Sequence, residues 1–95
     1  MAWSPSLEGA DAHAGHAETS LLLALHPECV RMDQAEAGER RPLRDLMGAL
    51  RAGGVAAVSP NGVLGDPTSA SAADGRRLFE LMTADLVDAV GRWRA

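Results

Sequence analysis

Asp11-Ala12-His13-Ala14-Gly15-His16-Ala17-Glu18-Thr19-Ser20, followed directly by Leu21-Leu22-Leu23-Ala24-Leu25-His26-Pro27, is the most informative run in the chain. Its first half puts two imidazoles and two carboxylates within eight residues, among small neighbours. Its second half is apolar on every side. The pattern predicts a loop over residues 1–15 that leads into a helix. That helix starts near Glu18 or Thr19 and runs to about His26, because proline disfavours helical dihedrals in the residue before it. A helix with no polar face needs cover all round. Glu18 falls in its first turn, where a carboxylate meets the positive end of the helix dipole.

Working outward, residues 28–41 are polar and mixed and read as a loop with at most one helical turn. Pro42 opens a second helix at its first position. Leu43, Leu46, Met47 and Leu50 follow at helical spacing, and Gly53-Gly54 stop it. Val55-Ala56-Ala57-Val58, bounded by Gly54 and Pro60, reads as a short buried strand. Ser59 to Pro67 is a turn-rich connector with Asn61-Gly62 and Asp66-Pro67 as its punctuation. Thr68 or Ser69 then caps a last helix, on which Leu78, Met82, Leu86, Val90 and Trp93 form one continuous stripe. A lone strand, an all-apolar helix and a long stripe all need surfaces that the rest of this sequence does not supply. Left open, they make exposed apolar patches.

The 95 residues carry 13 acidic side chains against 9 basic ones, all arginine, for a net charge of -4. Such a balance argues against a nucleic-acid partner. One cysteine, Cys29, excludes an internal disulfide. No stretch approaches the ~20 apolar residues of a membrane span, and the first residues lack a signal-peptide pattern. The cytoplasm is the expected compartment. With one Phe, two Trp and no Tyr, the core must come from Leu, Val, Met and Ala, which bury less area each.

The chemistry sits in the 11–20 run. Histidine is the usual side chain for proton transfer near neutral pH, and a Glu at a helix start is a natural ligand for a divalent ion. Plainer roles stand beside these. A loop histidine is usually solvated, a first-turn Glu is usually a dipole partner or half of a capping box, and Asp11 caps or steadies a turn. A metal site needs three or four ligands, and His13 with His16 matches no zinc spacing. His26 before Pro27 reads as structural, and Cys29 as an inert, partly buried thiol.

The order His13-Ala14-Gly15, two residues, Glu18-Thr19-Ser20, then Leu21 to Glu28, resembles the His-Ala-Gly-x-x-Glu-Thr-Ser-Leu signature of the creatininase family. Ala57 to Pro67, with Ala72 to Leu78 after it, resembles one subgroup, the mycofactocin-system creatininase-like peptidases. The likeness runs from about Asp11 to Val90. It implies a three-layer α/β fold, of which this chain holds a C-terminal part, mostly helical with one short strand. The whole of 1–95 then reads as a partial creatininase-like domain: 1–15 the active-site loop, 16–95 helices and one strand. It also implies a metal-dependent amidohydrolase that removes a C-terminal dipeptide from a modified precursor peptide. By resemblance, His13 is the proton-transfer residue and Glu18 the motif's metal ligand, with zinc, iron or manganese as the divalent metal. Thr19 and Ser20 bond backbone at the helix start. His16 occupies a variable position and is discounted as a ligand. Ala12 stands where creatininase itself has a Glu, which argues against creatinine-type substrate handling.

The family builds its metal centre mainly from an earlier Glu-x-His pair, a following Asp and an Asn-Gly-His-Gly-Gly-Asn turn. None of these occurs here, and Asn61-Gly62 is followed by Val63-Leu64. The expectation is therefore a chain inactive alone that needs an N-terminal half or a homo-oligomeric partner. Two other readings stay open: a non-catalytic helical interaction module, and a non-functional gene remnant. Ser59 to Pro67 reads first as a rigid turn and second as a pocket border.

Overall fold

The computed structural model describes residues 2–5, 7 and 9–94. Three helices carry the chain: α1 over His16–Leu25, α2 over Leu43–Val58 and α3 over Ala72–Arg94. Short 3-10 turns at Pro27–Cys29, Met32–Gln34 and Pro67–Ser69 link them. The mostly helical character expected from the sequence is what the chain shows.

The strand expected over Val55–Val58 is absent. Those residues continue α2 beyond a kink at Gly54, whose φ of 77° no ordinary helical residue adopts. A strand needs a neighbour for its N–H and C=O groups, and a helix satisfies them locally. Sheet-like pairing occurs elsewhere. His13 and Leu64 form an isolated antiparallel bridge, with Leu64 N donating to His13 O at 2.9 Å. On the other edge of the same segment, Gly38 N donates to Gly65 O and Glu39 N to Val63 O. Val63–Gly65 is thus held between two extended pieces of chain, and this places His13.

The tightest packing is α1 against α3. It depends on Gly75, where a Cβ would run into the Ser20 carbonyl and crowd Ala24. Ser20 is fully buried, and its hydroxyl accepts from Ser71 N at 3.1 Å. Ser71 in turn caps α3 by accepting from Asp74 N at 3.1 Å. The cap is therefore Ser71; Thr68 and Ser69 belong to the preceding 3-10 turn, which Asp66 caps.

Ala17, Leu46, Leu64 and Leu78 are the buried apolar side chains of helix and bridge. Much apolar surface stays open. Leu22 and Leu25 of α1 are exposed, although its sequence asks for cover on every side. On α3, Phe79, Leu81, Leu86, Val87 and Trp93 are exposed, the last two at 65%. The radius of gyration is 15.0 Å, against about 12 Å for a compact chain of this length. No helix of the described residues is long and apolar enough to cross a membrane.

Candidate active site

Asp11 organises the start of α1. Its Oδ2 accepts from His16 N at 2.7 Å and its Oδ1 from Ala17 N at 3.1 Å. Oδ2 also accepts from Asp66 N at 3.1 Å, across 55 positions of sequence. A carboxylate here satisfies helix-end donors that otherwise lack partners and meets the dipole. Gly15 and Gly65 flank it, and a Cβ on either would overlap the carboxylate. The capping role expected of Asp11 is realised, and it explains why the helix begins at His16, before Glu18 or Thr19.

His13 leaves the Leu64 bridge just before Ala14, which takes a left-handed φ of 52°. For alanine that conformation costs on the order of 1–2 kcal/mol, and it folds the chain back over the helix start. Glu18 Oε2 accepts from Ala14 N at 2.8 Å and lies 3.9 Å from His13 Nδ1, with both side chains more than half exposed. An imidazole and a carboxylate five positions apart are thus side by side. Glu18 sits in the first turn of α1 and accepts from the residue before the N-cap Gly15, so the dipole-partner role foreseen for it is present without a capping box.

Beside Glu18 opens a cavity of about 440 Å³. Glu18, Thr19 and Leu22 of α1 line one side of it, Val30, Arg31 and Met32 another, and Val63 and Pro67 a third. The Ser59–Pro67 connector serves both roles weighed for it. It is a self-satisfied turn, in which Asn61 Oδ1 accepts from Ser59 Oγ at 2.8 Å and Val63 N at 3.1 Å, and it also borders this cavity. Cys29 is exposed on the cavity lining rather than partly buried, since its 3-10 turn runs along the surface. Arg31 is the lining residue that sequence reading passed over, because nothing in a mixed polar loop distinguishes one arginine from another.

His16 is absorbed in structure. Its Nδ1 pairs with Ser69 Oγ at 3.0 Å and its Nε2 with Asp74 Oδ2 at 2.5 Å. This pins the start of α1 to the start of α3. Arg77 Nε donates to the other Asp74 oxygen at 2.7 Å. The Arg77 bond first, and the His16 bond second, hold the Asp74 carboxyl below its ordinary range. Asp66 is likewise lowered, chiefly by the Thr68 hydroxyl, with Arg40 Nη2 2.8 Å away. Thr19 and Ser20 do not act as a pair at the start of α1. Ser20 bonds the start of α3 instead, and Thr19 faces the cavity.

Among the described residues no group of three or more His, Cys, Asp or Glu side chains gathers to hold a metal. A catalytic zinc site takes three protein ligands, so His13 and Glu18 do not complete one. Their donor set, one imidazole nitrogen and one carboxylate, suits a divalent ion as a partial shell.

The folded His-Ala-Gly turn sets His13 beside Glu18, and Glu18 in turn lines the cavity. The chain belongs to the creatininase family: the family model described as creatinine amidohydrolase matches residues 2–90. Within it, the chain is 58% identical over 85 residues to the mycofactocin precursor peptide peptidase of Mycobacterium ulcerans (strain Agy99), covering 90% of this chain and 34% of the relative. It is 55% identical over 92 residues to that of Mycobacterium tuberculosis (strain CDC 1551 / Oshkosh), covering 96% and 37%. With the protein of the same name from Mycolicibacterium smegmatis it shares 50% over 93 residues, covering 97% and 38%. The chain thus spans about a third of the length of the curated relatives it matches. No solved structure matches it.

Proposed function

We propose that this chain supplies one wall and the proton-transfer group of a metal-dependent amidohydrolase. By analogy with its relatives, its substrate is a mycofactocin precursor peptide, from which a C-terminal dipeptide is cut. The observation that carries this reading is the approach of His13 Nδ1 to Glu18 Oε2 at 3.9 Å, with Glu18 on the lining of a cavity. His13 is the proton-transfer residue: with Nδ1 turned to Glu18, Nε2 is left to move a proton between water and the leaving amine. Glu18 is the metal ligand, its position set by the Ala14 amide it accepts from. The remaining ligands come from polypeptide outside this chain, either an N-terminal half or a second copy. A bound zinc, iron or manganese ion would polarise the scissile carbonyl and lower the pKa of water. The substrate is a modified peptide rather than a nucleic acid or a membrane, and the cytoplasm is the proposed compartment.

The test is metal content and peptide cleavage, with and without a co-expressed polypeptide carrying the Glu-x-His and Asn-Gly-His-Gly-Gly-Asn motifs. Cleavage should appear only with the pair. It should fall about 10²–10⁴-fold in His13→Ala, while Glu18→Ala should lower bound metal. A pair that binds no metal and cleaves nothing defeats the reading. The open apolar side of α3 favours a second reading, a non-catalytic helical interaction module. Its signature would be cooperative folding of the chain alone with no metal uptake.

A further inference from the structure

The cavity beside Glu18 has a chemical polarity that the hydrolase reading leaves unused. Leu22, Val30, Met32 and Val63 give it apolar walls, and Arg31 is the one cation among its lining residues. Arg40, Arg41, Arg44 and Arg77 each lie against a carboxylate, whereas Arg31 makes no ion pair among the described residues. The other charges on the lining are the carboxylates Glu18 and Glu36. An anion entering this cavity therefore has a single group to meet. Guanidinium suits a planar carboxylate, which it binds through two parallel hydrogen bonds. At about 440 Å³ the cavity has the size of a small-ligand pocket, enough for the end of a peptide and too small for a folded surface.

We propose that Arg31 reads the terminal carboxylate of the peptide substrate, with the apolar walls taking its last side chains. This rests on the hydrolase reading above for the substrate class, and adds the residue that sets where the cut falls. A cation on the same lining as Glu18 makes cleavage depend on distance from the free C-terminus. Arg31 is a specificity residue here and takes no part in bond breaking.

The test uses this chain and N-acetyl-dileucine, as free acid and as C-terminal amide, with binding followed through the backbone amide NMR signals of Ala14, Val30 and Val63. The acid should bind at least about ten-fold more tightly than the amide, as loss of one hydrogen bond to a charged group implies. Arg31→Gln should abolish that preference and leave amide affinity unchanged, and Arg31→Lys should keep part of it. Glu36→Gln should tighten acid binding severalfold by removing a like charge. Equal binding of acid and amide, binding of neither, or an Arg31→Gln variant that still prefers the acid overturns the proposal. The two readings fail separately. A chain that prefers the acid but never gains cleavage on co-expression removes the hydrolase reading alone. A complemented chain that cuts acid and amide peptides equally well removes the role of Arg31 alone.

Discussion

The two ends of α3 live in different surroundings. At its start, Ser71 caps the helix, Gly75 lies against the Ser20 carbonyl, Leu78 is buried, and Asp74 joins Arg77 to His16. Past Phe79 the same helix shows Leu81, Leu86, Val87 and Trp93 to solvent. Its one described tether there is the Trp3 indole, which donates to Asp85 at 2.7 Å. One half is over-determined by polar bonds and close contact, and the other relies on its backbone hydrogen bonds with few side-chain bonds beside them. Apolar side chains left open at this density form the kind of patch that marks either an interaction site or an aggregation liability. Opening free energies should therefore differ along a single helix, low toward Trp93 and high toward Gly75.

The sharpest way to break the contrast is to place a methyl group at each end. Gly75→Ala forces Ser20 and α3 apart and should cost at least about 3 kcal/mol. Gly91→Ala meets nothing within 4 Å and should gain about 0.5–1 kcal/mol from helix propensity. Urea unfolding of the two variants checks both signs. Next in size, Asp11→Ala removes the acceptor of the His16, Ala17 and Asp66 amides and should cost about 2–3 kcal/mol. Amide exchange should quicken at both the start of α1 and Asp66, since one carboxylate holds both.

Acid should act on the same end. The Asp74 carboxyl is held below its ordinary value of 3.8 by Arg77 and then His16. Its contribution is therefore complete above the unfolded carboxylate range and is lost as pH falls through the lower folded value. Thermal melts between pH 5 and about pH 2 should show this loss, and Asp74→Asn should flatten that part of the profile. The smallest effect belongs to the open end. Trp93→Ser with Val87→Ser should change stability by no more than about 0.5 kcal/mol each, while lowering self-association in sedimentation. A large loss of stability would show that this surface is already covered.

Much of the helix plan was legible. The apolar run Leu21 to Leu25 marks α1, Pro42 marks the start of α2 at Leu43, and the stripe from Leu78 marks α3. The misreadings have physical causes. Val55-Ala56-Ala57-Val58 is too short for periodicity to separate strand from helix, and the absence of a sheet neighbour decided for the helix. Ser71 displaced Thr68 and Ser69 as the cap because Asp66 had already wound them into a 3-10 turn. At the site, residue types and spacing marked the 11–20 run, and the family resemblance picked out His13 and Glu18 within it. The approach of their side chains depends on the left-handed turn at Ala14, which no spacing rule specifies.

Local order alone, then, laid down the helices, the proline boundaries, the pairing of Asp11 with its helix start and the chemical types gathered between residues 11 and 20. These follow from interactions a few positions apart, which a linear string encodes directly. Folding in three dimensions settled the rest: the Asp11 carboxylate under Asp66 N, Ser20 under Gly75, His16 against Asp74, and Arg31 on one lining with Glu18. Each joins groups from separate parts of the chain. Their meeting is set by which surfaces pack together, and close packing over tens of residues is a property of the whole chain rather than of any window in it.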